Sequence, residues 1–176
     1  MMTQQTPTRR ELSTEGRGTG VTEDAQPFEW SDVEQRLRTG GFRWFTSLRP
    51  DGEPHTRPVF AAWADGVLFT ASKEGARKSR NLDGDGRCSV AFEEDGAHLV
   101  IEGVATRAVD EETLRRASAA FDDVYSWPTR VAGDELDADY GAPTSGGPPY
   151  RVYQITPTAV YAFPAGGQFL PARWTL

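Results

Sequence analysis

The sequence predicts a mainly β fold, an antiparallel closed barrel or sandwich of about six strands with a few short helices. Two observations predict it. Apolar or alternating segments are separated by Asp-Gly steps at 51–52, 65–66 and 95–96, and Asp-Gly between such segments is a strong hairpin signal. The helical stretches between them are too short and too few to cover both faces of a parallel sheet.

The elements follow in order. Ser31, Asp32, Val33 and Glu34 read as a capping box, Gly40 and Gly41 close the segment, and Val33 and Leu37 give it one apolar face. Residues 42–48 alternate large and small side chains as a first strand, and Arg49-Pro50-Asp51-Gly52 turns the chain. Residues 55–63 make a second strand and 67–71 a third, with Asp65-Gly66 between them. A short helix is expected over 75–82, then strands over 87–92 and 97–108 around Asp95-Gly96. Asp110 caps a helix in which Leu114, Ala117, Phe121 and Val124 recur at helical spacing. Residues 126–149, rich in Gly, Pro and Asp, read as a long loop. Residues 150–163 form a strand pair or one bent strand, interrupted by Pro157.

The chain has 176 residues, enough for one domain with a real core. Residues 1–26 are polar without apolar periodicity, so they are expected to be a disordered leader, leaving 27–176 as the domain. The glycines at 16, 18 and 20 do not make a dinucleotide fingerprint, because Val21 stands where the third glycine belongs and no strand precedes them. A net charge of -7 disfavours nucleic acid as a partner. No apolar run approaches the length of a membrane span and the first residues lack a signal-peptide core, so a cytoplasmic location is expected. Cys88 is the sole cysteine and His55 and His98 the only histidines. No intrachain disulfide and no ordinary zinc site can be assembled from them. Cys88 reads as a buried thiol, and His55 and His98 as rim or structural positions. Asp134, Glu135, Asp137 and Asp139 lack the spacing of a calcium loop and read as solvated.

The segment that carries chemistry is 69–82. A strand ending in Thr70 leads through Ser72 to Gly75 and then to Arg77, Lys78 and Arg80. The chain has 17 arginines but only Lys73 and Lys78 as lysines and Asn81 as its single asparagine, and these three fall within nine residues. That arginine-over-lysine bias is the compositional mark of a GC-rich genome. Backbone N–H groups at a helix start, hydroxyl donors and nearby cations are what a phosphate requires. A solvated basic turn has the same composition, and spacing alone leaves both readings open.

Three features in order, Arg57-Pro58-Val59, the 69–82 segment and Glu102-Gly103, resemble the pyridoxine 5′-phosphate oxidase-like, FMN-binding split-barrel superfamily over roughly residues 42–110. The end of the chain, with Tyr161-Ala162-Phe163 and Arg173-Trp174, resembles actinobacterial members, many of which use the deazaflavin coenzyme F-420. The resemblance implies a split β-barrel, a homodimer, and FMN or coenzyme F-420 as cofactor. It places Arg57, Arg77 and Lys78 on the phosphate, with Thr70, Ser72 and Asn81 supplying hydrogen bonds. The ring would lie over the backbone at Pro58, Val59 and Phe60, and Arg173 and Trp174 would complete the cofactor site. The ending Ala172-Arg173-Trp174-Thr175-Leu176 departs from the Arg-Leu-Ala-Pro ending of true pyridoxine phosphate oxidases, so the resemblance does not extend to vitamin B6 oxidation.

Three functions follow from it: a deazaflavin-dependent reductase of a small conjugated substrate, an FMN-dependent oxidase or reductase, and a non-catalytic flavin- or haem-binding protein. No catalytic dyad stands out, as expected where the cofactor carries the reaction. Tyr125, Trp127, Arg130 and Tyr140 read either as an aromatic lid over the substrate or as simple packing, and the 126–149 loop is expected to border the cofactor pocket.

Overall fold

The computed structural model describes residues 7–12, 24–142, 146–166 and 169–176. Its elements in chain order are β1 (Thr8–Glu11), β2 (Gln26–Pro27), α1 (Trp30–Leu37), β3 (Arg43–Leu48), β4 (Pro54–Val59), β5 (Ala61–Ala64) and β6 (Val67–Ser72). There follow α2 (Arg77–Gly84), β7 (Arg87–Glu94), β8 (Ala97–Ala108), α3 (Glu111–Tyr125), β9 (Thr129–Ala132), β10 (Glu135–Ala138), β11 (Arg151–Pro164), β12 (Phe169–Leu170) and β13 (Ala172–Thr175).

The Asp-Gly steps do what their chemistry allows. Asp65-Gly66 and Asp95-Gly96 each hold positive φ at both residues (50° and 82°, 44° and 71°), the two-residue turn whose twist matches a hairpin. They join β5 to β6 and β7 to β8 without a residue to spare. Helix α1 begins at Trp30 rather than beside Ser31, because Glu29 is its N-cap and forms the capping box with Asp32. Val33 and Leu37 are buried as the spacing required.

The barrel closes by a kink. β4 pairs with β3 and β5 pairs with β6, so the single strand expected over 55–63 bends at Phe60 and serves two neighbours. The ring then runs β3, β4 with β5, β6, β11, β8, β7 and back to β3. This antiparallel ring is the mainly β split barrel that the sequence predicted. Strand β11 makes the split. Its first half lies between β6 and β8 (Ile155 opposite Leu68 and Ala105), its second half between β13 and β8 (Val160 opposite Trp174 and Ile101). The register shifts between Pro157 and Ala159, where proline cannot donate a ladder bond. Residues 150–163 are thus one bent strand.

Two cores result. Phe45, Leu68, Val90, Leu99, Ile101 and Val160 fill the barrel, with α1 and Trp174 over one end. Leu114, Ala117 and Phe121 of α3 make a second core with Phe69, Trp127, Leu136 and Tyr150.

Two expectations are corrected. The leader is not disordered throughout: Thr8–Glu11 pairs with β13, Arg9 reaches Glu29 at 3.1 Å, and Gln26–Pro27 pairs with β12. A polar segment gains order here because an open sheet edge supplies its backbone partners. The rest of the leader, 1–6 and 13–23, lies outside the described residues. The 126–149 segment is not a plain loop either, since β9 and β10 form a hairpin and Leu136 bridges to Tyr150. Residues 143–145 lie outside the description. No helix is long and apolar enough to cross a membrane among the described residues.

Candidate anion-binding site

Three local structures bring cations to one end of the barrel. The β3–β4 hairpin is closed by Arg49, whose carbonyl accepts from the Gly52 N–H at 2.8 Å. Strand β4 then carries His55 and Arg57 on alternate positions, with His55 opposite Ser47 and Arg57 opposite Phe45. Helix α2 supplies Arg77 and Lys78 in its first turn. That helix is docked by buried polar bonds. Asn81 Nδ2 donates to Ser47 Oγ at 3.0 Å, and Ser79 Oγ donates to the Lys73 carbonyl at 2.7 Å and lies 2.8 Å from Ser72 Oγ.

The N-terminus of α2 is electrostatically open. No side chain caps it and no acidic residue lies in its first turn, so the first N–H groups have no partner within the helix and their partial positive charge adds to that of Arg77 and Lys78. The acids close by are spent elsewhere: Arg151 takes Glu74 and Asp83. Among the described residues no carboxylate lies within ion-pair distance of Arg49, Arg57, Arg77 or Lys78.

His55 registers this field. Burial pushes its pKa below the ordinary imidazole value, and Arg57, Arg49, Arg77 and Lys78 push it further in that order. Lys78 is likewise held below the usual lysine range, first by burial and then by Arg57. Like charges without a carboxylate in ion-pair distance among the described residues, beside an uncapped helix start, make this a candidate site for an anion. Among the described residues, His55 Nδ1, Arg49 Nε and Asn81 Oδ1 at this junction are buried without hydrogen-bond partners.

The sequence-chosen residues divide into two groups. Arg57, Arg77 and Lys78 converge, and Arg49 joins them unforeseen. The signal for it was the hairpin register, which sets the residue after β3 near His55. Thr70, Ser72 and Asn81 are buried, and their side chains bond inward, Thr70 Oγ1 to the Phe60 carbonyl at 2.9 Å. They position α2 and the kink rather than face solvent. Pro58 is half-buried and Val59 buried. Phe60 stacks on Tyr125 with centroids 4.1 Å apart.

Trp174 is 1% exposed, tilted against Trp30 in the barrel core, so it packs instead of projecting toward a ligand. Its neighbour Arg173 lies over the Tyr161 ring, 5.4 Å from the centroid. Tyr125 is tied down through its hydroxyl, which accepts from the Ala61 N–H at 3.0 Å. Trp127 is 2% exposed between Phe121 and Tyr150, and its Nε1 donates to the Tyr140 carbonyl. A free aromatic lid is therefore not what Trp127 forms, because apolar burial against α3 wins. Arg130 pairs with Asp137 and Asp139 within its own hairpin. Arg130 and Tyr140 are the two of the four that stay widely exposed.

Cys88 is half-buried, and burial pushes its thiol up to about 12, so it is not a nucleophile. His98 lies exposed beside Glu93. Among the described residues no acid, Cys and His cluster could hold a metal. The opposite face of β3 carries a groove of about 470 Å³ lined by Thr46, Leu48, Cys88, Ser89, Glu102 and Val104. Beyond it the same sheet face exposes Trp44 and Phe163.

Comparison with known proteins agrees with this fold. No match was found among curated proteins. Among solved structures, a conserved hypothetical protein of Mycobacterium tuberculosis superposes with a TM-score of 0.61 at 18% identity, over 84% of this chain and 91% of that one. An F-420 reductase gives 0.52 at 19% identity, over 72% and 94%. A heme-binding protein of Mycobacterium smegmatis gives 0.55 at 22% identity, over 78% and 55%. These likenesses establish the fold. The pyridoxamine 5′-phosphate oxidase family profile matches residues 30–163, from α1 through β11 and across every cation of the site. The match covers the barrel and its split strand, and this chain is a member of the pyridoxamine 5′-phosphate oxidase family.

Proposed function

We propose that this protein is an oxidoreductase that binds FMN or the deazaflavin coenzyme F-420 by its phosphate and acts on a small conjugated organic substrate. The observation that carries the reading is the cluster of cations without carboxylate partners, Arg49, Arg57, Arg77 and Lys78, at the uncapped start of α2. Such a cluster is costly unless an anion neutralises it, and a phosphate with its oxygens spread over three directions uses charge-assisted bonds from several sides. The residues present fit that group. Arg57, Arg77 and Lys78 would hold the phosphate, and Phe60, fixed by Tyr125, would set the barrel wall beside the ring.

Bound there, the cofactor supplies hydride transfer. The chain's own part is to bind, orient and exclude water. Nothing in that part requires a catalytic acid or base. In keeping with the family, the working form is proposed to be a homodimer in the cytoplasm. The exposed sheet face with Trp44, Val104 and Phe163 supports a second copy covering it.

The test is titration of the purified, cofactor-free protein with FMN, coenzyme F-420 and haem, followed by absorbance and fluorescence quenching, then a substrate panel with the cofactor that binds. Tight binding of a flavin or deazaflavin with turnover supports the proposal. Binding of haem alone overturns it.

A further inference from the structure

We propose that His55 is a proton-coupled member of the anion site: neutral while only cations surround it, it takes up one proton from solvent when a dianion binds. The inference rests on the phosphate reading of the cluster. Its basis is geometric. His55 is 6% exposed, Nδ1 is sealed without a partner, and no hydrogen bond to Nε2 is formed either among the described residues. A buried imidazole normally has a partner that fixes its tautomer. The cations whose charge reaches His55 come instead from three elements: Arg49 at the turn, Arg57 on its own strand, and Arg77 and Lys78 on α2.

The remaining groups do not supply the missing negative charge. Across β3, Ser47 is already bonded by Asn81, and Cys88 beyond it is a neutral thiol. Asp51 and Glu53 in the hairpin turn are exposed, and the Asp51 carboxylate accepts from the Glu53 N–H at 3.0 Å. Glu74 and Asp83 flank α2 but engage Arg151. An incoming anion is thus what would offset the field at the ring, and a dianion would do so most strongly.

The sign follows from linkage. In the empty site, burial and the four cations hold His55 below the ordinary value of about 6.5. A dianion among those cations favours the charged ring and raises its pKa. Affinity is then constant at high pH, rises as pH falls through the bound-state pKa, and levels off below the free-state pKa. The gain is about tenfold for each unit by which binding raises the pKa. The device favours a dianion over a monoanion, since two negative charges offset more of the cationic field at the ring than one.

The test uses sulfate as probe, because sulfate keeps both charges across this pH range whereas a phosphate ester titrates within it. Ring signals of the two histidines are followed by NMR against pH, with and without saturating sulfate at matched ionic strength, and His98→Gln assigns the remaining signal to His55. The expected result is a raised His55 midpoint with sulfate and none with chloride. Sulfate affinity should rise toward low pH in the wild type and lose that slope in His55→Gln. Sulfate binding with an unmoved His55 midpoint overturns this inference and leaves the phosphate reading standing. Failure of both sulfate and FMN to bind overturns the phosphate reading itself, and this inference with it.

Discussion

Asn81 donates from Nδ2 to Ser47 Oγ at 3.0 Å, and both side chains are buried. Ser47 lies opposite His55 on the neighbouring strand. One buried hydrogen bond thus fixes the distance between α2, which carries Arg77 and Lys78, and the strand that carries His55 and Arg57. Asn81→Ala removes the donor and leaves Ser47 Oγ without its partner inside the fold. A loss of roughly 1–3 kcal/mol is expected in urea denaturation, with weaker FMN binding because the two halves of the site drift. An unchanged denaturation midpoint would show that packing alone holds α2.

The cations themselves should behave in the opposite way. Arg77→Ala and Lys78→Ala are each expected to weaken FMN binding by about 1.5–3 kcal/mol, tenfold or more. Stability of the cofactor-free protein should not fall, since Arg77 is exposed and removing the half-buried Lys78 relieves its repulsion with Arg57. Fluorescence quenching measures the first effect and thermal melting the second. Affinity within twofold of wild type in both variants removes α2 from the site.

Gly103 explains the Glu-Gly step on β8. A Cβ there would sit 2.5 Å from the Thr156 carbonyl oxygen, on the segment of β11 where the register shifts. Backbone cannot yield as a flexible side chain can. Gly103→Ala should therefore destabilise the barrel by roughly 1–3 kcal/mol, read by calorimetry against Gly133→Ser in the β9–β10 turn as a strained but uncrowded comparison.

Trp127 and Tyr140 should separate cleanly. Trp127→Ala empties a buried site against Phe121 and Tyr150 and is expected to cost about 3–5 kcal/mol. Tyr140→Ala, at an exposed position, is expected to cost no more than about 1 kcal/mol. Equal and small effects on stability, with a changed substrate profile for Trp127→Ala, would restore the lid reading.

The N-terminal strand makes a prediction of its own. Removing residues 1–12 strips β1 from β13 and breaks the Arg9–Glu29 pair. The melting temperature should fall by roughly 2–4 °C for each kcal/mol of lost pairing. A truncated protein that melts with the full chain would return the segment to the status of a leader.

The sequence by itself determined what depends on neighbours along the chain. The Asp-Gly turns, the Asp110 cap, strand β8 with its bounds at 97 and 108, and the six-strand count were legible because backbone dihedrals and side-chain period are local properties. The cationic turn of α2 was legible as composition. Tertiary structure decided whatever depends on residues far apart in sequence. It bent one strand at Phe60 to close the ring and gave β11 two different neighbours on one side. It drew Trp127 and Trp174 into cores, turned Thr70, Ser72 and Asn81 inward, and placed Arg49 beside His55. The physical reason is that burial and field strength are sums over non-local neighbours. A tryptophan reads the same in a lid or a core until its contacts exist, and a cation becomes part of a site only when folding has led the acids elsewhere.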